Sequence, residues 1–150
     1  HDQVIETYGV KPEDVTTVLV IRHAAIPLIM DDEFWARHKL GKVNKMKDPA
    51  TKKHYEKNPI RSWEGQQNVS PMMAGAALEP FMKRGGIVLA CNFAFGFMVS
   101  LERALDKENA KEARARALKH VVPVIILQPS GFFGLLEAQR AGCHLFAAGE

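Results

Sequence analysis

The sequence predicts an α/β domain built on a mainly parallel sheet with helices on both faces. Three observations carry that expectation. Short, β-branched and nearly continuous apolar runs recur at 15–21 (VTTVLVI), Ile87–Cys91 (IVLAC) and 121–127 (VVPVIIL), the pattern of strands covered on both sides. Longer stretches with helical punctuation separate them, and strands alternating with helices imply right-handed βαβ units. The length of 150 residues suits a single core, so the whole chain 1–150 is expected to form one domain.

The elements follow in order. Residues 4–8 read as the end of a helix stopped at Gly9. A sheet of this class ordinarily has a strand before such a helix, which is expected upstream of residue 1. Residues 15–21 form a strand ending at Arg22 and His23. The apolar stretch 24–35 is broken by Pro27, and Asp31 and Asp32 offer caps for a short helix. Residues 41–65 are polar, basic and punctuated by Asp48-Pro49 and Asn58-Pro59, so a loop insertion with little regular structure is expected, of the kind that often serves as a lid.

Ser70 and Pro71 mark a helix start, with closure near Arg84 at Gly85-Gly86 and Pro80 inside. A short buried strand, 87–91, then runs into a helix or turn from Asn92. Residues 105–119 alternate acid and base with many alanines, as an exposed helix does. The strand 121–127 contains Pro123, which suits its start or a sheet edge. Gln128-Pro129-Ser130-Gly131 is a turn, 132–141 a helix closed at Gly142, and 143–147 a last strand.

Composition excludes several classes. With 47% hydrophobic and 25% charged residues the chain has the balance of a globular domain. No apolar run reaches the roughly 18 residues a spanning helix needs, so no membrane insertion is expected. The net charge of +3 is small, but Arg37, Lys39, Lys42, Lys45, Lys47, Lys52, Lys53, Lys57 and Arg61 crowd one segment, a solvated basic face able to attract anions. Aromatic residues are not interleaved there, so no nucleic-acid partner is expected. Cys91 and Cys143 are too few for a disulfide framework or a four-cysteine zinc site, though a single bridge stays open. The chain begins at His1 without a basic-then-apolar leader, as a processed chain would.

Ligands of open parallel sheets gather beyond the carboxyl ends of the strands, here Arg22-His23, Cys91-Asn92 and Pro129-Ser130-Gly131. Cys91 stands where a strand meets a helix N-terminus, whose partial positive charge favours a thiolate; a packed thiol is the alternative. His23 can orient a thiol, deprotonate it or face an anion. Ser130 and Gly131 open a helix whose amides can hold an anion, or Ser130 simply caps it. The sequence contains no GxGxxG, Walker, GxSxG or HExxH motif, so no cofactor is expected. A metal held by His23, Cys91 and either His38 or His54 is not supported by spacing, and no metal is expected.

The segments GIVLACNFAFGFM (86–98) and ILQPSGFFGLLEAQRAGC (126–143) resemble the DsrE/DsrF-like sulfur-relay family, in which a strand ends in a cysteine before a small-residue helix and a later strand ends in a Ser-Gly turn. GVKPEDVTTVLVIRH (9–23) followed by DDEFW (31–35) is similar to the family's larger, exported members. The resemblance covers most of the chain outside 41–65; the insertion, and Asn92 and Phe93 after the cysteine, depart from the compact relay subunits. It implies a flavodoxin-like three-layer fold, a homo-oligomer (trimer or hexamer) and a periplasmic or exported location, with a cytoplasmic one as the alternative. It also implies a persulfide carrier at Cys91 that exchanges sulfur with a donor or acceptor protein or a small sulfur anion, a sulfurtransferase-like carrier at most. His23, Asn92, Ser130 and Gly131 then line the pocket. The aromatic group Phe93, Phe95, Phe97, Phe132 and Phe133 is expected in the core, with a subunit interface as the alternative. Two alternatives stay open: a non-enzymatic ligand-binding or assembly module with a structural cysteine, and a metal-binding or redox protein using His23 and Cys91.

Overall fold

The computed structural model describes residues 2–61, 76–107 and 109–145. A three-stranded parallel sheet, β1 (Val18–Ile21), β2 (Ile87–Cys91) and β3 (Ile126–Gln128), has the order β1-β2-β3. Register runs from Val18 beside Ile87 to Ile21 beside Ala90, and from Leu89 beside Ile126 to Cys91 beside Gln128. The central strand is thus β2, and its last four residues are all buried. The helices are α1 (Asp2–Tyr8), α2 (Asp32–Arg37), α3 (Leu40–Val43), α4 (Leu78–Lys83), α5 (Asn92–Asp106), α6 (Ala110–Lys119) and α7 (Gly131–Arg140), with 3-10 turns at Pro12–Asp14 and His23–Ile29. The expected α/β class, with helices around a parallel sheet, is what forms.

Alternation along the strands divides the packing between two faces. Ile21, Val88 and Ala90 join Ile26, Ile29, Phe34, Trp35, Leu40, Leu78, Phe95, Met98 and Ala117 in the main core. Val20, Leu89 and Gln128 point to the other face, where α7 crosses them. A Cβ on Gly134 would sit 3.5 Å from Leu89 Cδ1 and 3.6 Å from Gln128 Cγ and Val20 Cγ1. Helix and sheet therefore approach as closely as that glycine allows.

Local chemistry explains the element ends. Gly9 (φ 62°) and Gly142 (φ 93°) take left-handed backbone just past α1 and α7, which a glycine does at no steric cost. Asp31 caps α2 by accepting from Phe34 N at 2.8 Å, and Trp35 Nε1 donates to Pro27 O at 2.8 Å, tying α2 to the preceding 3-10 turn.

Several expectations are corrected. The first strand is four residues, not seven, and Leu19 at 39% exposure shows that β1 is an edge strand without cover on both faces. The stretch 105–119 is not one helix: Lys107 turns left-handed (φ 54°) and Asn109 starts α6 by accepting from Lys111 N and Glu112 N, both at 3.0 Å. The third strand begins only at Ile126, because Pro123 lacks an N–H for the ladder and Val124 adopts φ 73°. Residues 143–145 have no regular structure; the rest of that expected strand, like the helix start at Ser70 and Pro71, lies outside the described residues.

The described part of the basic insertion is anchored. Asn58, 3% exposed, donates through Nδ2 to Leu28 O and Met30 O, each at 2.7 Å. Met46, Tyr55 and Ile60 pack on the core. Gly41 lies so close to Tyr55 that a Cβ would fall 2.1 Å from its carbonyl oxygen. Burial, with Asp48 adding, raises the Tyr55 phenol above its ordinary value.

Candidate functional site at the carboxyl ends of the strands

Cys91 ends the central strand and is the N-cap of α5, with Ala94 N donating to its Sγ at 3.3 Å. The apolar run of β2 drives the strand into the core, and the chain turns helical at Asn92, so the thiol stays at the junction. It is 5% exposed. Negative charge developing on sulfur here faces an amide donor and the positive end of a 15-residue helix.

Asn92 follows at the first position of α5, and its Oδ1 accepts from Arg114 Nη2 of α6 at 2.6 Å. The Arg114 guanidinium also stands 5.5 Å from the Phe95 ring centroid. On the other side of the strand end, Arg22 lies one step past the Ile21–Ala90 pairing, which brings it level with Cys91. Its guanidinium lies 5.0 Å from the centroid of Phe132. Ser130 caps α7 by accepting from Phe133 N at 3.1 Å. A Cβ on Gly131 would be 2.8 Å from Arg22 Cβ, so this glycine lets the start of α7 rest on Arg22.

Cys91, Asn92, Ser130 and Gly131 are thus brought to one edge of the sheet. His23 reaches the same edge but is exposed, with left-handed backbone (φ 51°). No side-chain hydrogen bond links it to Cys91 or to any other described residue, so the expected role as base or orienter of the thiol has no contact behind it. Ser130 spends its side chain on its own helix.

Other expectations fall elsewhere. His38 Nε2 pairs with Glu102 Oε1 at 2.7 Å and His54 Nδ1 lies 3.2 Å from Gly41 O, each away from Cys91 in a contact of its own. Among the described residues no group of three or more His, Cys, Asp or Glu side chains could hold a metal ion. Both cysteines are free. Cys143 lines a cavity of about 690 Å³ between the start of β1 and the end of α7, the length of α7 away from Cys91, so the open question of a bridge is settled against it. Of the aromatic group, only Phe95 is core; Phe93 (84%), Phe132 (64%), Phe97 (48%) and Phe133 (41%) are exposed.

Two groups escaped the sequence reading. Arg22 was noticed only as the neighbour of His23, and Arg114 lies 22 residues beyond its partner Asn92 with no local signal. The second is a buried ionic cluster. Glu102, fully buried, meets His38, Arg37 Nε (3.5 Å) and Arg116 Nε (3.5 Å), while Asp106 pairs with the same two arginines.

Comparison with family models, with curated proteins and with solved structures finds no match. The site therefore rests on its own geometry. Among the described residues no helix is long and apolar enough to cross a membrane.

Proposed function

We propose that this chain is a DsrE-like sulfur carrier in which Cys91 takes up a sulfane sulfur and hands it to a partner thiol. The observation that carries this reading is the setting of Cys91: at the carboxyl end of the central strand, capping α5, with the Ala94 amide on its sulfur. Persulfide exchange needs a thiolate to attack the outer sulfur of a donor, and a donor N–H at the sulfur supports that charge. Asn92, Ser130 and Gly131 shape the surrounding edge. The carrier acts with a sulfur-bearing protein or small sulfur anion, as a periplasmic or exported trimer or hexamer; the resemblance of 86–98 and 126–143 to the family supports these points.

The test is sulfane-sulfur loading. Wild type, Cys91→Ser and Cys143→Ser are treated with polysulfide at neutral pH, desalted, and assayed for cyanide-labile sulfur. The wild type and Cys143→Ser should carry label and Cys91→Ser none; equal label on Cys91→Ser contradicts the proposal.

The burial of Cys91 at 5% exposure favours a second reading, a non-enzymatic binding or assembly module in which the thiol only packs. Native alkylation separates the two, because a packed thiol reacts only as fast as the domain opens, whereas a carrier thiol reacts faster than opening.

A further inference from the structure

Residues 39–57 carry seven lysines against two acids, Asp48 and Glu56. From totals of 20 basic and 17 acidic residues, that leaves 13 basic and 15 acidic for the rest of the chain. The net charge of +3 therefore conceals a charge asymmetry, one strongly positive segment on a slightly negative body. Packing fixes where these charges stand. Leu40 and Gly41 are buried, Met46 and Tyr55 pack on the core, and Met46 N donates to Gly41 O at 2.8 Å while Tyr55 N donates to Met46 O at 3.2 Å. Asp48 spends its Oδ1 on the amides of Ala50 and Thr51. Lys39, Lys42 and Lys45 surround α3, and Lys47, Lys52, Lys53 and Lys57 lie on the turns that follow it. All seven are exposed, and none is in an ion pair among the described residues. Three of them, Lys39 (φ 50°), Lys45 (φ 54°) and Lys52 (φ 59°), stand on left-handed backbone, which glycine or asparagine adopts at less cost. Lysine occupies these turn positions against the backbone preference, so positive charge is placed there at the expense of local stability.

We propose that residues 39–57 form a docking face for an anionic lipid surface, on which the domain lies without entering the bilayer. The residue types select this partner. A nucleic acid would be read by arginine forks, stacking aromatics or a helix in a groove. This segment contains no arginine, its Tyr55 packs inward and α3 is a single turn of four residues. A protein partner would take aromatic or arginine anchors into pockets, whereas lysine is depleted from protein interfaces. Anionic headgroups need only point charges within a screening length, and each lysine near such a surface adds its own share of the attraction. Val43, 50% exposed between Lys42 and Lys45, adds an apolar side chain that can sit at headgroup level.

The experiment is flotation of the full chain with vesicles of phosphatidylcholine alone and of phosphatidylcholine with about 30% phosphatidylglycerol. Wild type should float only with the anionic vesicles, and should be released as salt approaches about 1 M, where the screening length falls to about 3 Å. Each lysine removed should weaken partitioning about fivefold, so Lys45→Asn combined with Lys52→Asn should weaken it roughly 25-fold. Asparagine suits the left-handed backbone at both positions, so the same double variant should keep or raise the denaturant midpoint. Weaker binding then cannot come from a damaged fold. Replacing the same two lysines by arginine should leave binding near wild type. A wild type that stays unbound to anionic vesicles at low salt, or a double asparagine variant that binds them as tightly as wild type, would overturn the proposal. Tighter binding to duplex DNA or to polyglutamate than to the vesicles at equal salt would overturn the lipid assignment in favour of that polyanion.

Discussion

At the scale of single residues, two close approaches are decisive. Gly41 meets the Tyr55 backbone and Gly131 meets Arg22 Cβ, and neither neighbour is the free end of a flexible side chain. Gly41→Ala should therefore destabilise the fold by about 3 kcal/mol, read from the denaturant midpoint. Gly131→Ala should instead act locally, shifting the start of α7 and slowing sulfur loading with little change in the midpoint. Tyr55 supplies a pH test. Its phenol is raised by burial and by Asp48, so the folded state holds the proton more tightly than the unfolded chain. That contribution is complete below the ordinary tyrosine value of about 10 and is lost as pH rises above it. Stability should fall above about pH 10, and Tyr55→Phe should flatten the fall; an unchanged slope would show that the phenol is not the group responsible.

At the scale of elements, β2 was legible to the residue because its apolar run stops at Cys91 and a helix-compatible stretch follows at once. The caps at Gly9, Asp31, Ser130 and Gly142 were equally legible, since capping depends on residue type and position alone. Boundaries set by tertiary contact were not. The break at Lys107 hides inside an unbroken run of helix formers, and the late start of β3 follows from Pro123 and the strained Val124. Anchoring of 44–61 was hidden too, because it depends on Asn58 reaching the Leu28 and Met30 carbonyls across the chain. Asn58→Ala should cost about 2 kcal/mol by leaving those acceptors unpaired. The ionic cluster joining α2, α5 and α6 is longer range still. Glu102→Ala removes a buried carboxylate that His38, Arg37 and Arg116 share, and a loss of about 3 kcal/mol is expected, measured by chemical denaturation; a loss under 1 kcal/mol would show that Asp106 suffices to hold these helices.

At the scale of the whole molecule, the fold divides its chemistry between the two ends of the sheet. The carboxyl end gathers Cys91, Asn92, Arg22, Arg114 and the start of α7. The opposite end holds Cys143 in an open cavity. The sequence located the first of these through the general rule that ligands gather at strand ends, and it named Cys91 correctly as a strand-end thiol. It favoured His23 over Arg22 because a histidine near a cysteine suggests a catalytic pair, whereas which side chain makes contacts depends on packing against α7. Phe93, Phe97, Phe132 and Phe133 are all exposed on α5 and α7, apolar surface of the kind that a second subunit can cover. Light scattering should therefore give a mass above that of one chain, and Phe93→Ser should lower it; a monomer in the wild type would remove oligomerisation from the proposal.

The most direct measurement is peptide mapping by mass spectrometry of wild type and Cys91→Ser after exposure to a sulfane-sulfur donor at neutral pH. The carrier reading predicts the added mass of one sulfur atom on the peptide containing Cys91 and none in the variant. An increment confined to Cys143, with the fold intact, would contradict it.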